Sequence, residues 1–261
     1  MIEAPTSLIE INGIRTAQAI TGEGKPVMML HGWGSHLGLM WPLAERLASL
    51  GYRIYIPDLP GFGQSAPPPA AWSVHDYTAF AVAYLNHHEL DKVHLVGHSF
   101  GGRLGLLLGA EYPERIVKMV LADSAGVRSR PTLNSQIRQS AYKLMRNILY
   151  TAKLNNFANR LSAWYVDRYG SPDYKAAQGV MRETFVKVVN EDLLAYAARV
   201  KPPTLLLWGD QDDDTPLWQG KLLEQTIPDA GLVVFEGAGH YSYLDRLGET
   251  VRILDHFFKS D

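Results

Sequence analysis

Ser99 is the residue of this chain best placed to do chemistry. It is the centre of Gly97-His98-Ser99-Phe100-Gly101, which directly follows Val93-His94-Leu95-Val96 and directly precedes Gly102-Arg103-Leu104-Gly105-Leu106-Leu107-Leu108. The first run is short, apolar and rich in β-branched residues, so it reads as a buried strand. The second reads as a helix packed on a sheet. A serine on a sharp strand-to-helix turn has strained backbone, and its hydroxyl is pushed toward a cleft. The positions two before and two after have no room for a Cβ, which is why glycine stands at both. A serine hydroxyl is a weak nucleophile at neutral pH. It needs a base within hydrogen-bond reach and an acid that orients the base. On a turn of this kind the chain order is serine, acid, histidine. Both partners are present downstream. Asp210, Asp212, Asp213 and Asp214 lie in the run Trp208 to Pro216, and His240 closes Glu236-Gly237-Ala238-Gly239-His240. The motif also assigns one oxyanion-stabilising backbone N–H to the residue after the serine, Phe100.

The elements needed to hold these groups alternate along the chain. Leu8–Ile11 and Ile14–Ile20 flank Asn12-Gly13, a hairpin signal because both turn residues must accept positive φ. Strands are predicted at Val27–Leu30, Arg53–Ile56, Val93–Val96, Val117–Ala122, Thr204–Trp208 and Leu232–Phe235. Helices are predicted at Pro42–Leu50 (closed by Gly51), Val74–His87 and Arg252–Lys259, besides the one after Ser99. Apolar strands alternating with helices imply a mostly parallel, doubly wound sheet covered on both faces, with the opening hairpin as an antiparallel edge. The acid and histidine runs each follow a strand, where open α/β sheets build their sites. From about Ala125 to Val200 the pattern is helical with no convincing strand, an insertion of roughly four helices, and Pro202-Pro203 marks the return to the sheet. The expected organisation is 1–124 core, 125–200 helical cap or lid, and 201–261 core.

Taken together, the chain resembles the α/β-hydrolase fold family over nearly its whole length. His31-Gly32-Trp33 after a strand, Asp58-Leu59-Pro60-Gly61-Phe62-Gly63-Gln64-Ser65, the serine turn, and the closing acid and histidine loops carry the resemblance. The 125–200 stretch resembles the family's cap. By this resemblance the acid is Asp212, three residues after Gly209 and four before Pro216, and the second oxyanion amide belongs to Trp33. It also implies a serine hydrolase of carboxylic esters of small or medium size, working through an acyl-enzyme. Carbon–carbon bond hydrolysis, amide or iminopeptide cleavage, a non-catalytic ligand receptor and a lyase are the alternatives on the same scaffold. Serine rather than aspartate at the turn argues against the family's dehalogenases and epoxide hydrolases.

Other chemistries are excluded by residue type and spacing. The chain has 261 residues, no cysteine and a formal net charge of −2, so disulfides, thiolate metal sites and a nucleic-acid partner are not expected. The acids from Asp210 to Asp214 fail the EF-hand template, because the sixth position is Thr215 and the twelfth Lys221. No histidine pair has zinc spacing, and no phosphate-cradling or dinucleotide glycine motif occurs in context. No metal and no cofactor are expected. No secretory signal is expected from the amino-terminal residues, and no apolar stretch reaches the ~20 residues of a membrane span. The expected setting is cytoplasmic, with a small-molecule ester as partner and no membrane. His31 is expected to brace its loop, His98 to pack or hydrogen-bond locally, and Asp58 with Gln64-Ser65 to hold a turn. Arg128 and Arg130 follow a strand end, where an anionic substrate would meet them. A solvated or ion-paired role is the expectation.

Overall fold

A computed structural model describes residues 4–128 and 133–260, the side chains of 133–136 excepted. Eight strands form one sheet in the order β1-β2-β4-β3-β5-β6-β7-β8. They are β1 Thr6–Ile11, β2 Ile14–Thr21, β3 Lys25–Leu30, β4 Tyr52–Pro57, β5 Val93–His98, β6 Ile116–Ala122, β7 Thr204–Gly209 and β8 Ala230–Phe235. β1 and β2 pair antiparallel across Asn12 (φ 49°) and Gly13 (φ 80°), and β2 pairs antiparallel with β4. The remaining neighbours are parallel.

Successive residues of the central strands feed two cores. On one face Met28, Leu30, Leu95, Leu121, Leu206 and Trp208 pack under helices α2 (Val74–His87), α3 (Phe100–Glu111) and α9 (Leu217–Thr226). On the other, Val27, Met29, Val96, Val120 and Leu207 pack under α1 (Leu37–Ala48) and α11 (Leu247–Lys259). This two-sided burial is why the strands read as unbroken apolar runs. It makes the fold a doubly wound α/β sheet of the expected class.

Between β6 and β7 the described chain is helical: α4 Leu133–Thr151, α5 Asn155–Tyr169, α6 Pro172–Ala176, α7 Gly179–Asn190 and α8 Leu194–Ala197. Roughly four helices are expected here and the described residues carry five, of which α6 has five residues and α8 four. α4 and α5 keep Leu144, Met145, Ile148, Phe157 and Trp164 exposed. No helix of the described residues is long and apolar enough to cross a membrane.

The helices depart most from the sequence reading. α1 begins at Leu37, five residues before Pro42, because His36 Nδ1 accepts from Gly38 N–H at 3.1 Å and Asp58 Oδ1 from Leu37 N–H at 2.6 Å. These caps start the helix, and Pro42 sits inside it. α11 begins at Leu247 rather than Arg252, and neither α9 nor the short α10 (Ser242–Asp245) was anticipated.

The chain order reverses at β3. The chain runs from β3 to β4 on one side and then crosses to β5 on the other. The loops leaving the carboxyl ends of β3 and β5 therefore part from each other, and open α/β sheets place ligands in the crevice at such a point.

Candidate active site

Ser99 occupies the link between β5 and α3 with φ 49° and ψ −104°, a left-handed backbone on a residue that carries a Cβ. Such strain persists only where the surroundings over-determine it, and here they do. Ser99 N–H donates to Ala122 O at 3.0 Å, and Ser99 O accepts from Gly102 and Ala125 N–H at 3.0 and 3.1 Å. Glycine is required on both sides. A Cβ on Gly97 would lie 2.5 Å from Gly101 O, and one on Gly101 would strike the backbone carbonyl of Leu30.

The three expected groups come together. Ser99 Oγ lies 2.9 Å from His240 Nε2, and His240 Nδ1 lies 2.9 Å from Asp212 Oδ2. The carboxylate accepts, so Nδ1 carries the proton and Nε2 is left to accept from the serine hydroxyl. Asp212 is held from behind. Its Oδ1 accepts from Asp214 and Thr215 N–H, both at 2.9 Å, and its Oδ2 also accepts from Thr215 Oγ1 at 2.7 Å. Burial alone would raise the Asp212 pKa, but the bonds from His240 and Thr215 outweigh it and hold the carboxyl below its ordinary range. Burial alone would likewise lower His240, yet its bond to Asp212 holds the ring above the ordinary imidazole value. Asp210 is used elsewhere, its Oδ1 accepting from Gly237 N–H at 2.7 Å, and Asp213 is exposed.

Asp212, Asp214 and His240 bring ligand-type atoms within 4.8 Å of one another. Both ring nitrogens of His240 are engaged, Nδ1 by Asp212 and Nε2 by Ser99.

Trp33 and Phe100 flank the serine from two strands. Gly101 N–H donates to His31 O at 3.1 Å, which ties the β5 turn to the β3 loop. Among the described residues neither Trp33 N–H nor Phe100 N–H has a protein acceptor. His31 braces this loop as expected. Its Nδ1 donates to Gly32 O at 2.8 Å, and its Nε2 accepts from Leu59 N–H at 3.0 Å. Asp58 and Ser65 hold the neighbouring turn. Asp58 Oδ2 accepts from Gln64 N–H at 2.8 Å and Ser65 Oγ donates to Asp58 O at 2.7 Å.

Two supporting residues carry more than the sequence suggested. His98 Nε2 donates to His240 O at 2.7 Å, so the residue beside the nucleophile fixes the backbone of the base. Burial pushes its own pKa down to about 3, which keeps the ring neutral. Asp123, buried after β6 with φ 46°, accepts from Gly209 N–H through Oδ1 and from Ser242 N–H through Oδ2, both at 2.9 Å. One carboxylate thus ties the acid loop to the histidine loop. Burial raises its pKa to about 7. The only sequence signal for it was a polar residue at the carboxyl end of a strand.

The serine, both flanking residues and His240 open on one cavity of about 510 Å³, roofed by Phe185 and Val188 of α7. Phe185 packs on Trp33 with ring centroids 5.1 Å apart. Arg128 lines the cavity and is exposed; Arg130 lies outside the described residues.

Comparison with known proteins bears on the fold and the family. A family model described as alpha/beta hydrolase fold matches residues 25–247. Lipase 1 of Psychrobacter immobilis is 27% identical over 94% of this chain and 80% of its own. The 2-hydroxy-6-oxo-6-phenylhexa-2,4-dienoate hydrolase of Burkholderia cepacia is 29% identical over 85% of this chain and 83% of its own. The crystal structure of a hydrolase from Pseudomonas aeruginosa PA01 superposes with a TM-score of 0.75 at 21% identity, covering 98% of this chain and 99% of that one.

Proposed function

This chain belongs to the α/β-hydrolase fold family, and from that premise we propose that it is a serine hydrolase of carboxylic esters of small or medium size, working through an acyl-enzyme. One observation carries the reading: a relay from Asp212 through His240 to Ser99 with both links at 2.9 Å. In the proposed reaction His240 Nε2 takes the Ser99 proton as Oγ attacks the ester carbonyl. Asp212 keeps the other nitrogen protonated and stabilises the imidazolium that forms. The amides of Trp33 and Phe100 receive the developing oxyanion. His240 then returns the proton to the leaving alcohol, and water repeats the cycle on the acyl-enzyme. Residues 125–200 act as the lid that shapes the pocket. Having no cysteine, the chain needs no oxidising compartment, and we place it in the cytoplasm.

A second reading, hydrolysis of a carbon–carbon bond, is favoured by the dienoate hydrolase relative; it uses the same three residues. Turnover of p-nitrophenyl acetate and butyrate, together with fluorophosphonate labelling, tests the serine reading. Ser99→Ala is expected to abolish labelling and lower turnover by about 10³-fold or more. Unchanged turnover in Ser99→Ala overturns the reading.

A further inference from the structure

Arg103 stands one turn after Ser99 on α3, its N–H donating to Ser99 O at 3.3 Å. The residue is 7% exposed and lines the cavity that holds Ser99. A guanidinium has five donors. Here Nη1 donates to the backbone carbonyl of Glu191 at 2.9 Å. Among the described residues Nε and Nη2 have no acceptor, and no carboxylate forms an ion pair with Arg103. The two acids that act on it from farther away are committed elsewhere. Glu191 accepts from Val74 N–H and faces His75, and Asp192 accepts from Leu194 N–H. Burial lowers the Arg103 pKa to about 10, so the group stays charged at neutral pH.

A buried charge without a partner is costly and persists where something else supplies the counter-charge. The cavity has two electrostatic ends. Asp212, Asp123 and Asp214 act on His240, whereas Glu191 and Asp192 act on Arg103. His240 delivers its proton to the leaving alcohol, so the alcohol belongs at the His240 end and the acyl chain runs away from it. Four residues along a helix advance it by about 6 Å, a span that an acyl chain of a few carbons covers.

We propose that Arg103 is the anion-binding group of the substrate cavity, and that the preferred substrate is a half-ester whose acyl chain ends in a carboxylate. The planar fork of the guanidinium suits a carboxylate, which accepts through both oxygens. This proposal rests on the serine hydrolase reading and names the substrate class for that site. Without such a group, a carboxylate entering a cavity that also contains Asp173 and Asp214 would be repelled.

The test compares monoethyl adipate with ethyl hexanoate, esters of equal acyl length that differ in the terminal charge, by pH-stat on the whole protein. The wild type is expected to favour monoethyl adipate in kcat/KM by about 10-fold or more, mainly through KM. In Arg103→Met that preference falls by about 10- to 100-fold, and in Arg103→Lys, which keeps the charge but not the fork, it falls less. Adipate should also inhibit the wild type competitively at concentrations where adipamide does not, a measurement that stands even if Arg103→Met fails to fold. A wild type with no preference for the anionic ester, or a preference unchanged in Arg103→Met, overturns the proposal. Fluorophosphonate labelling separates the two readings. A labelled enzyme without anion preference defeats only the Arg103 assignment. Ester turnover without labelling at Ser99 defeats the serine reading beneath it.

Discussion

Replacing Asp212 by asparagine changes one atom and inverts the logic of the relay. Asp212 Oδ1 accepts two backbone N–H groups, from Asp214 and Thr215, each at 2.9 Å. An asparagine must keep its carbonyl oxygen there. Turning its amide into that position would oppose donor to donor twice, at about 1–3 kcal/mol for each buried N–H left unmade. The amide NH₂ therefore faces His240 Nδ1, where Oδ2 lay 2.9 Å away. It donates to Nδ1, which moves the ring proton to Nε2. The imidazole then donates to Ser99 Oγ instead of accepting from it, and no base remains. Serine triads with this defect lose about 10⁴-fold in kcat, which at 1.36 kcal/mol per decade is about 5.4 kcal/mol of barrier. Packing is unchanged, so the fold should lose no more than about 1–2 kcal/mol. The assay is p-nitrophenyl butyrate turnover with urea unfolding on the same preparations, and Asp214→Asn as the comparison. Asp212→Asn retaining more than a tenth of wild-type kcat, or Asp214→Asn losing as much, would refute the reasoning.

The acid limb of kcat/KM should have its midpoint above the ordinary imidazole value of about 6.5, because Asp212 holds the His240 pKa up; a midpoint below that value counts against the pairing. A raised histidine contributes stability that is complete below the unfolded value and lost as pH rises through the folded one. The unfolding free energy of the wild type minus that of His240→Ala should therefore shrink above about pH 7. Asp212, held low, contributes in the opposite sense, and its share disappears as pH falls through the acid range. Asp123→Ala leaves the Gly209 and Ser242 amides without acceptors. It should cost about 2–4 kcal/mol, seen as a lower Tm and a lower kcat. Gly101→Ala drives a Cβ into the Leu30 carbonyl and should cost about 1–3 kcal/mol and most of the activity; a fully active, equally stable variant would show that the turn can shift.

Ser99 was legible because its turn imposes local demands. Glycines two residues either side, an apolar strand before and a helix after are contiguous signals. The strand runs were legible for a similar reason: a strand buried on both faces must be apolar at nearly every position. The Asn12-Gly13 hairpin followed from the positive φ that both residues adopt. The start of α1 was not legible, because one of its caps is the carboxylate of Asp58, 21 positions away. Arg103 looked like one residue of an apolar helix. Its place in the lining of the cavity, with no carboxylate paired to it among the described residues, depends on α7 and the loop after β6 arriving beside it.

Chemical types and their order along the chain were therefore readable from residues alone: a strained serine, then acids, then a histidine, each after a strand. The residues alone left four aspartates open; the family resemblance named Asp212, and it is Asp212 that lies against the ring. Asp210 and Asp212 are two positions apart, yet one holds Gly237 and the other His240. The partnership between Ser99 and His240, 141 positions apart, arises because parallel strands of one sheet end at the same edge. Local propensity places a residue on such a loop. Only the packing of the whole sheet determines which loops meet and which charges are left for a ligand to neutralise.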